Sequence, residues 1–487
     1  MSELVHLTIH QLAQAIRERK VSAVEVVRAH LSHIAQHNTT LNAIVTLDEE
    51  HALQRAQEAD AALARGEMWG PLHGVPVTIK DAFETAGLRT TSSFPQLANH
   101  VPQQDATIVA RLRAAGAIIL GKTNMPILTV DIQSNSPLFG RANNPWDLGR
   151  TTGGSTGGGA AAVAAGLSPL ELGSDGGGSI RIPSHFCSVF GLKPTEHLVP
   201  GTGHIPDLPG APKSLRHICS FGPLARCVQD LRLCLALIAG PDGQDMDVPP
   251  VPLEGTPARP LRELRFAWTD DFGGVPVTRE TRAALEKLAG ALAGLGCRVE
   301  RANPPGFDFK LAWQAYGIIM GTIAGMSLPL PLRALGQLAG PIIYRHEPIY
   351  RAIIQGIRLN MHRYFEALTR RDALIETLER FLTEWDAWLC PVSCTPAFTH
   401  RTSGLMWPAQ TIEVDGTKIP YWKASISYTT IFNLTGNPVV VLPVAKSKEG
   451  LPIGVQVVGR RWRDLELLGV AEQLAEVTGP YQYPPGY

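Results

Sequence analysis

The spacing of apolar and polar positions divides this 487-residue chain into alternating helical and extended stretches. Near the N-terminus, TIHQLAQAIRERK, SAVEVVRAHLSHIAQHN and EEHALQRAQEADAALARG repeat apolar residues at helical spacing, which predicts helices across 8–66. Ser22, followed by Glu25, has the form of a capping box and predicts where the second helix begins. Short unbroken apolar runs follow: VPVTIK (75–80), AIILG (117–121), LELGSD (170–175), LRFAWT (264–269), AWLCPV (387–392), VVVLPVA (439–445) and GVQVVG (454–459). Runs of this kind predict buried strands. Helical patterns separate several of them: DATIVARLRAAG, GGGAAAVAAG, RETRAALEKLAGALAGLG and LELLGVAEQLAEVTG. This alternation predicts an α/β fold with a large mixed β-sheet core covered by helices on both faces. The wide sequence separation of the strands predicts one sheet assembled from N- and C-terminal parts.

Residues 309–365 break the pattern. They are apolar and aromatic, and are interrupted by Pro329, Pro331 and Pro341. The stretch reads as buried helical core, or as an apolar wall or lid over a substrate channel. Contact with a membrane or polymer surface is a further reading.

Charge narrows the function. The chain has 44 basic and 44 acidic side chains, so its formal net charge is zero. That gives no electrostatic case for nucleic acid or an anionic membrane surface. No run approaches about 18 uninterrupted apolar residues, so no membrane span is expected. The N-terminal MSELVHLTIHQLAQAIRERK lacks the basic-then-apolar layout of a secretory signal, and a cytoplasmic location is expected. The seven cysteines are scattered without zinc-like His/Cys partners, and read as free thiols in a reducing compartment.

Residues 116–123, GAIILGKT, satisfy the phosphate-loop pattern, but not its mechanism. That mechanism needs a flexible loop between a strand and a helix. Here Ala117, Ile118, Ile119 and Leu120 form a predicted strand, and Asn124-Met125-Pro126 follows. Lys122 therefore reads as a structural or substrate-loop residue.

The chemistry gathers in Gly149–Pro183, GRTTGGSTGGGAAAVAAGLSPLELGSDGGGSIRIP. A folded chain concentrates glycine where the backbone must turn unusually or approach a ligand closely. Ser179 follows Gly176-Gly177-Gly178, a run able to turn successive N–H groups towards one point beside the hydroxyl. Lost oxyanion donors cost about 100- to 1000-fold in rate, so such an arrangement suits acyl transfer. Ser155 lies between two glycine runs, and a plain helix cap is its simplest reading. Lys80 ends VPVTIK. Burial there favours the neutral amine, which can accept a proton from a serine; pairing with Asp81 is the plainer alternative. No G-x-S-x-G elbow is present, and no motif places a histidine as base, although His185 lies close by in sequence.

GGSTGGGAAAVAAG followed by GSDGGGSIRIPSHFCSVFGLKPT resembles the amidase signature. PLHGVPVTIKD, GKTNMP, NNPWD, GPLARCVQDL and LPIGVQVVG extend the resemblance over roughly residues 8 to 475. The resemblance, to a stand-alone bacterial-type amidase, implies the amidase signature fold in a single domain, 1–487. Within it, 8–66 form N-terminal helices, 70–235 the core, 309–365 the variable segment, and 385–475 the part completing the core. It also implies a Ser–cis-Ser–Lys triad, with Ser179 as nucleophile, Ser155 as bridging serine and Lys80 as base. Gly176, Gly177, Gly178 and Ser179 would supply the oxyanion hole. Asp175 and Arg181 would support the loop, and Thr129, Val130 and Gln133 would line the substrate site. No metal or organic cofactor is implied. Thr156 stands where a second serine is common, and Ile127 replaces a polar residue near the mouth. His185 replaces a small residue, as either a packed core histidine or a pocket residue. The implied activity is hydrolysis of small-molecule amides, with esters, anilides and carbamates (urethanes) in reach, by a monomer or homodimer. Two alternatives stand beside it: the amidase subunit of a glutamine-dependent tRNA amidotransferase, and a catalytically inactive binding protein.

Overall fold

A computed structural model describes residues 3–207, 213–253, 255, 259–328, 331, 333–334, 348–402 and 410–487. Its centre is an 11-stranded sheet. In chain order the strands are β1 (Ile44–Leu47), β2 (Pro76–Lys80), β3 (Ile118–Thr123), β4 (Leu170–Asp175), β5 (Phe190–Lys193) and β6 (Ser220–Ala225). The remainder are β7 (Arg265–Trp268), β8 (Arg298–Arg301), β9 (Ala387–Pro391), β10 (Val439–Lys446) and β11 (Pro452–Val458). They lie in the order β1-β3-β2-β4-β6-β5-β10-β11-β9-β7-β8. β2 runs parallel to β3 and β4, and β7 runs parallel to β8 and β9. The other neighbours are antiparallel. The sheet is therefore mixed and joins both ends of the chain, as expected.

Each predicted strand is present. One of the N-terminal expectations needs correction: β1 interrupts the helices of 8–66, pairing with β3 between the helices Ala23–Leu41 and Glu49–Ala64. The capping box is formed, with Ser22 Oγ accepting from the Glu25 N–H and Glu25 accepting from the Ser22 N–H.

Strand alternation allocates the two faces. Val77, Ile79, Leu170 and Leu172 enter a core with the helices Ile9–Arg17, Thr107–Ala114, Val228–Ile238 and Asp464–Thr478. On the opposite face lies the helix Gly157–Ala164, every residue of it buried. Its first turn sits so close to the sheet that a Cβ on Gly159 would lie 2.3 Å from Glu171 Cδ, and one on Gly158 2.5 Å from Asn124 N. A second core, around Trp388, Phe272 and Phe432, joins the C-terminal strands to Phe309–Ser327 and Met361–Leu382. The helix Phe309–Ser327 opens the segment 309–365. Ala312, Trp313, Ala315, Ile318 and Ile319 of this helix are core, while Tyr316 and Met320 reach the glycine loop after β4. Pro329 and Pro341 lie outside the described residues.

Candidate active site

Because Val77 and Ile79 face one core, Thr78 and Lys80 of β2 project towards Gly157–Ala164. Lys80 is fully buried. Its Nζ donates to Ser155 Oγ at 2.7 Å, Ser174 Oγ at 2.9 Å and Thr156 Oγ1 at 3.0 Å. These acceptors are hydroxyls, and Asp81 is not among them: the Asp81 carboxylate accepts from Thr91 instead. Burial lowers Lys80 to about 7, offset in part by the Glu171 and Asp175 carboxyls. The neutral amine is therefore available near neutral pH.

Ser155 follows a cis peptide bond from Gly154 and is fully buried. The 131–133 loop packs directly on Gly154, where a Cβ would lie 2.7 Å from Gln133 N. Ser179 is half-buried, as are Gly176 and Gly177. Its carbonyl accepts from Thr156 N at 3.1 Å, which joins the two glycine-rich segments. No hydrogen bond links the Ser155 and Ser179 hydroxyls in this structure.

Asp175 organises the loop between them. Its carboxylate accepts from the N–H groups of Gly178 at 2.8 Å and Ile180 at 3.1 Å. Arg181 Nε and Nη2 each approach it at 2.9 Å, and both side chains are fully buried. Burial alone would push the Asp175 carboxyl up, but the adjoining Arg181 guanidinium and Asn433 amide hold it well below the usual carboxylate range. Arg181 also donates to Thr429 O, Gln456 Oε1 and Asn433 Oδ1. The four expected oxyanion donors therefore separate. Gly178 is corrected: its N–H is committed to Asp175. The N–H groups of Gly176, Gly177 and Ser179 have no acceptor among the described residues, and are open to a bound oxygen.

The remaining expected residues have different surroundings. Gln133 is buried, and its amide exchanges hydrogen bonds with the backbone of Arg401, so it ties a loop to the C-terminal half. Thr129 is half-buried with φ of 65°, while Val130 and Ile127 are 47% and 38% exposed. His185 proves to be a packed core histidine: Nδ1 accepts from Gly454 N at 2.7 Å and Nε2 donates to Thr395 O at 3.1 Å. Burial lowers it to about 4, so it is neutral at pH 7. Lys122 is equally structural, donating to Phe83 O, Thr85 Oγ1 and Thr90 Oγ1. Sequence reasoning missed Ser174, Tyr316, Thr429 and Asn433. Ser174 adjoins Asp175 and could have been suspected; the others come from distant segments with no motif.

The model of the Amidase family matches residues 25–468. The chain belongs to the amidase family. A glutamyl-tRNA(Gln) amidotransferase subunit of Caldanaerobacter subterraneus is 33% identical over 497 aligned positions, covering 96% of each chain. A solved amidase aligns with TM-score 0.77 at 29% identity, over 96% of this chain and 99% of that one. The structure of 6-aminohexanoate cyclic dimer hydrolase with its substrate aligns with TM-score 0.82 at 27% identity, over 99% of each chain. The chain thus has the fold that its sequence resemblance implied. No helix among its described residues is long and apolar enough to cross a membrane.

Proposed function

We propose that this amidase cleaves amide C–N bonds through an acyl-enzyme on Ser179, with Lys80 as base acting through Ser155. The observation that carries this reading is the sealed amine: Lys80 is fully buried, lowered to about 7, and hydrogen-bonded to hydroxyls, Ser155 Oγ the nearest. Neutral Lys80 takes the Ser155 proton as Ser155 takes that of Ser179. Ser179 Oγ attacks the carbonyl carbon, and the Gly177 and Ser179 N–H groups receive the oxyanion. Ser155 then protonates the departing amine, recovering its own proton from Lys80. Water enters by the same relay and releases the acid. The Ser155–Ser179 contact must tighten for this relay, as catalytic hydrogen bonds often do only in the substrate complex. Esters, anilides and carbamates share the carbonyl chemistry.

A neutral acyl group is supported by the uncharged side chains of Tyr316, Met320 and Thr430 that meet Gly176 and Gly177. The exposed Val130 and Ile127 lie on the loop expected to border the site. A second reading has its own support, the 33% identity to a glutamyl-tRNA(Gln) amidotransferase chain over nearly the whole of both sequences. Under it, glutamine is the amide donor, and ammonia passes to a partner protein that acts on transfer RNA. Glutamine bears an α-ammonium and an α-carboxylate, each needing a counter-charge.

Turnover of apolar aryl and alkyl amides, esters, carbamates and glutamine, with and without amidotransferase partner proteins, separates these readings. Hydrolysis of apolar amides by the isolated chain is expected; glutamine turnover that requires partners would establish the second reading. Ser179→Ala should fold normally and lose about 1000-fold or more of turnover. Near-normal rates in that variant would remove Ser179 from its role. Labelling of Ser179 by a fluorophosphonate is expected, and distinguishes an enzyme from an inactive binding protein.

A further inference from the structure

The glycine loop is held from outside by two hydroxyls. Tyr316 Oη, from the helix Phe309–Ser327, donates to Gly176 O at 2.9 Å. Thr429 Oγ1 donates to Gly177 O at 2.7 Å, nearer than its other acceptor, Ile426 O, at 3.2 Å. Ile182 N donates to Gly178 O at 2.7 Å, and Asn433 Nδ2 to Asp175 O at 2.9 Å. Every carbonyl from Asp175 to Gly178 is therefore engaged.

This matters because the peptide unit is planar, and in its trans form the C=O and N–H point in opposite directions. Holding the Gly176 carbonyl with Tyr316 aims the Gly177 N–H the other way. Holding the Gly178 carbonyl with Ile182 does the same for the Ser179 N–H. The Gly177–Gly178 peptide is fastened at both ends, by Thr429 and Asp175. The three N–H groups without acceptors, those of Gly176, Gly177 and Ser179, each belong to a peptide whose carbonyl is anchored. A bonded carbonyl also polarises its peptide and strengthens the N–H as a donor. The clamp accounts for Gly177 and Gly178. A Cβ on Gly177 would lie 2.8 Å from Tyr316 Oη, and one on Gly178 2.6 Å from Thr429 Oγ1. At Gly176 the nearest atom is Met320 Cε, at 3.9 Å.

Resting on the Ser179 reading above, we propose that Tyr316 is a positioning residue for the transition state, aiming and polarising the Gly177 N–H, with Thr429 fixing the next peptide. The variable segment would then serve the chemical step as well as shaping the substrate channel. Burial pushes the Tyr316 phenol up, so it remains a donor throughout the working pH range.

The test uses the full chain and its best amide substrate. Tyr316→Phe removes one oxygen and keeps the packing. Complete loss of an oxyanion donor costs about 100- to 1000-fold, so loss of its support should lower kcat about 10- to 100-fold, with KM within about twofold. A boronic acid or trifluoromethyl ketone analogue of the substrate should weaken by the same factor as kcat/KM, while inhibition by the amine product stays unchanged. Thr429→Val should behave similarly, and Thr429→Ser should restore the rate. Two results would overturn the clamp: unchanged kcat and analogue affinity in Tyr316→Phe, or an equal weakening of analogue and amine product, which marks general disruption. Fluorophosphonate labelling of the parent distinguishes the underlying reading. Failure to label Ser179 sinks that reading and the clamp with it, whereas labelling with an indifferent Tyr316→Phe sinks the clamp alone.

Discussion

Lys80 concentrates the residue-scale physics. An exposed lysine is protonated at pH 7 and useless as a base. Enclosed by β2, β4 and the helix Gly157–Ala164, this one meets Ser155, Thr156 and Ser174 and no carboxylate within hydrogen-bond distance. Its lowering to about 7 sets a pH dependence. In the proposed mechanism the neutral form is the active one, so kcat/KM should fall as pH drops below about 7, with a limiting slope of one proton. A pH–rate profile of the free enzyme checks this, and Lys80→Met should abolish both the limb and most of the rate. Thr156 keeps the hydroxyl expected at its position and uses it on Lys80. His185 shows the opposite outcome: of the two readings its sequence position left open, packed core or pocket, two backbone hydrogen bonds select the first and make it a fastener between Gly454 and Thr395.

At the scale of elements, the turn from β4 into the helix Arg181–Cys187 is stabilised by one buried ion pair rather than by a cap. Removing one partner of a buried pair strands the other's charge, at about 3–5 kcal/mol. Arg181→Ala is therefore expected to lower stability by that order in urea unfolding. The pair also makes stability depend on acid. The Asp175 carboxyl lies below its unfolded value of about 4, so its contribution is present above that pH and is lost as pH falls further. An Asp175→Asn variant should show a shallower acid dependence below about pH 4, measured by urea midpoints across pH. Elements missed in the sequence share a reason. β8, RVER, is a polar edge strand with no apolar run to mark it. β6, SFGPLA, carries Gly222 and Pro223, which signal a turn, yet it lies inside the sheet between β4 and β5. A Cβ at Gly222 would lie 2.2 Å from Leu192 O, so close strand approach accounts for the glycine.

Across the whole molecule, the sheet does not divide where the chain does. β10 and β11, from the last part of the sequence, lie between β5 and β9. Arg181, two residues after Ser179, is held by Thr429, Asn433 and Gln456 from that same part. A chain ending before Val439 loses two central strands and leaves the backbone edges of β5 and β9 unpaired. It should fail to give a cooperative thermal transition by circular dichroism, whereas the full chain should unfold in one. The apolar segment 309–365 also acquires its meaning only at this scale. One side of Phe309–Ser327 packs against the Trp388 core, and another sets Tyr316 and Met320 against the glycine loop.

Local pattern by itself determined most strands, the helices around them, the α/β class, and the candidate Lys80, Ser155 and Ser179. Each of these follows from periodicity, run length or motif, and all act over a few residues. The tertiary structure decided which N–H groups face the site, that Gly178 is bound to Asp175, that His185 is core, and that Tyr316, Thr429 and Asn433 attend the loop. Apart from the Gly178–Asp175 bond, which spans 3 residues, those outcomes depend on contacts between segments more than one hundred residues apart, such as Tyr316 with Gly176 at a separation of 140. Sequence spacing carries no trace of such contacts, because packing of the whole sheet, and not local backbone preference, brings the partners together.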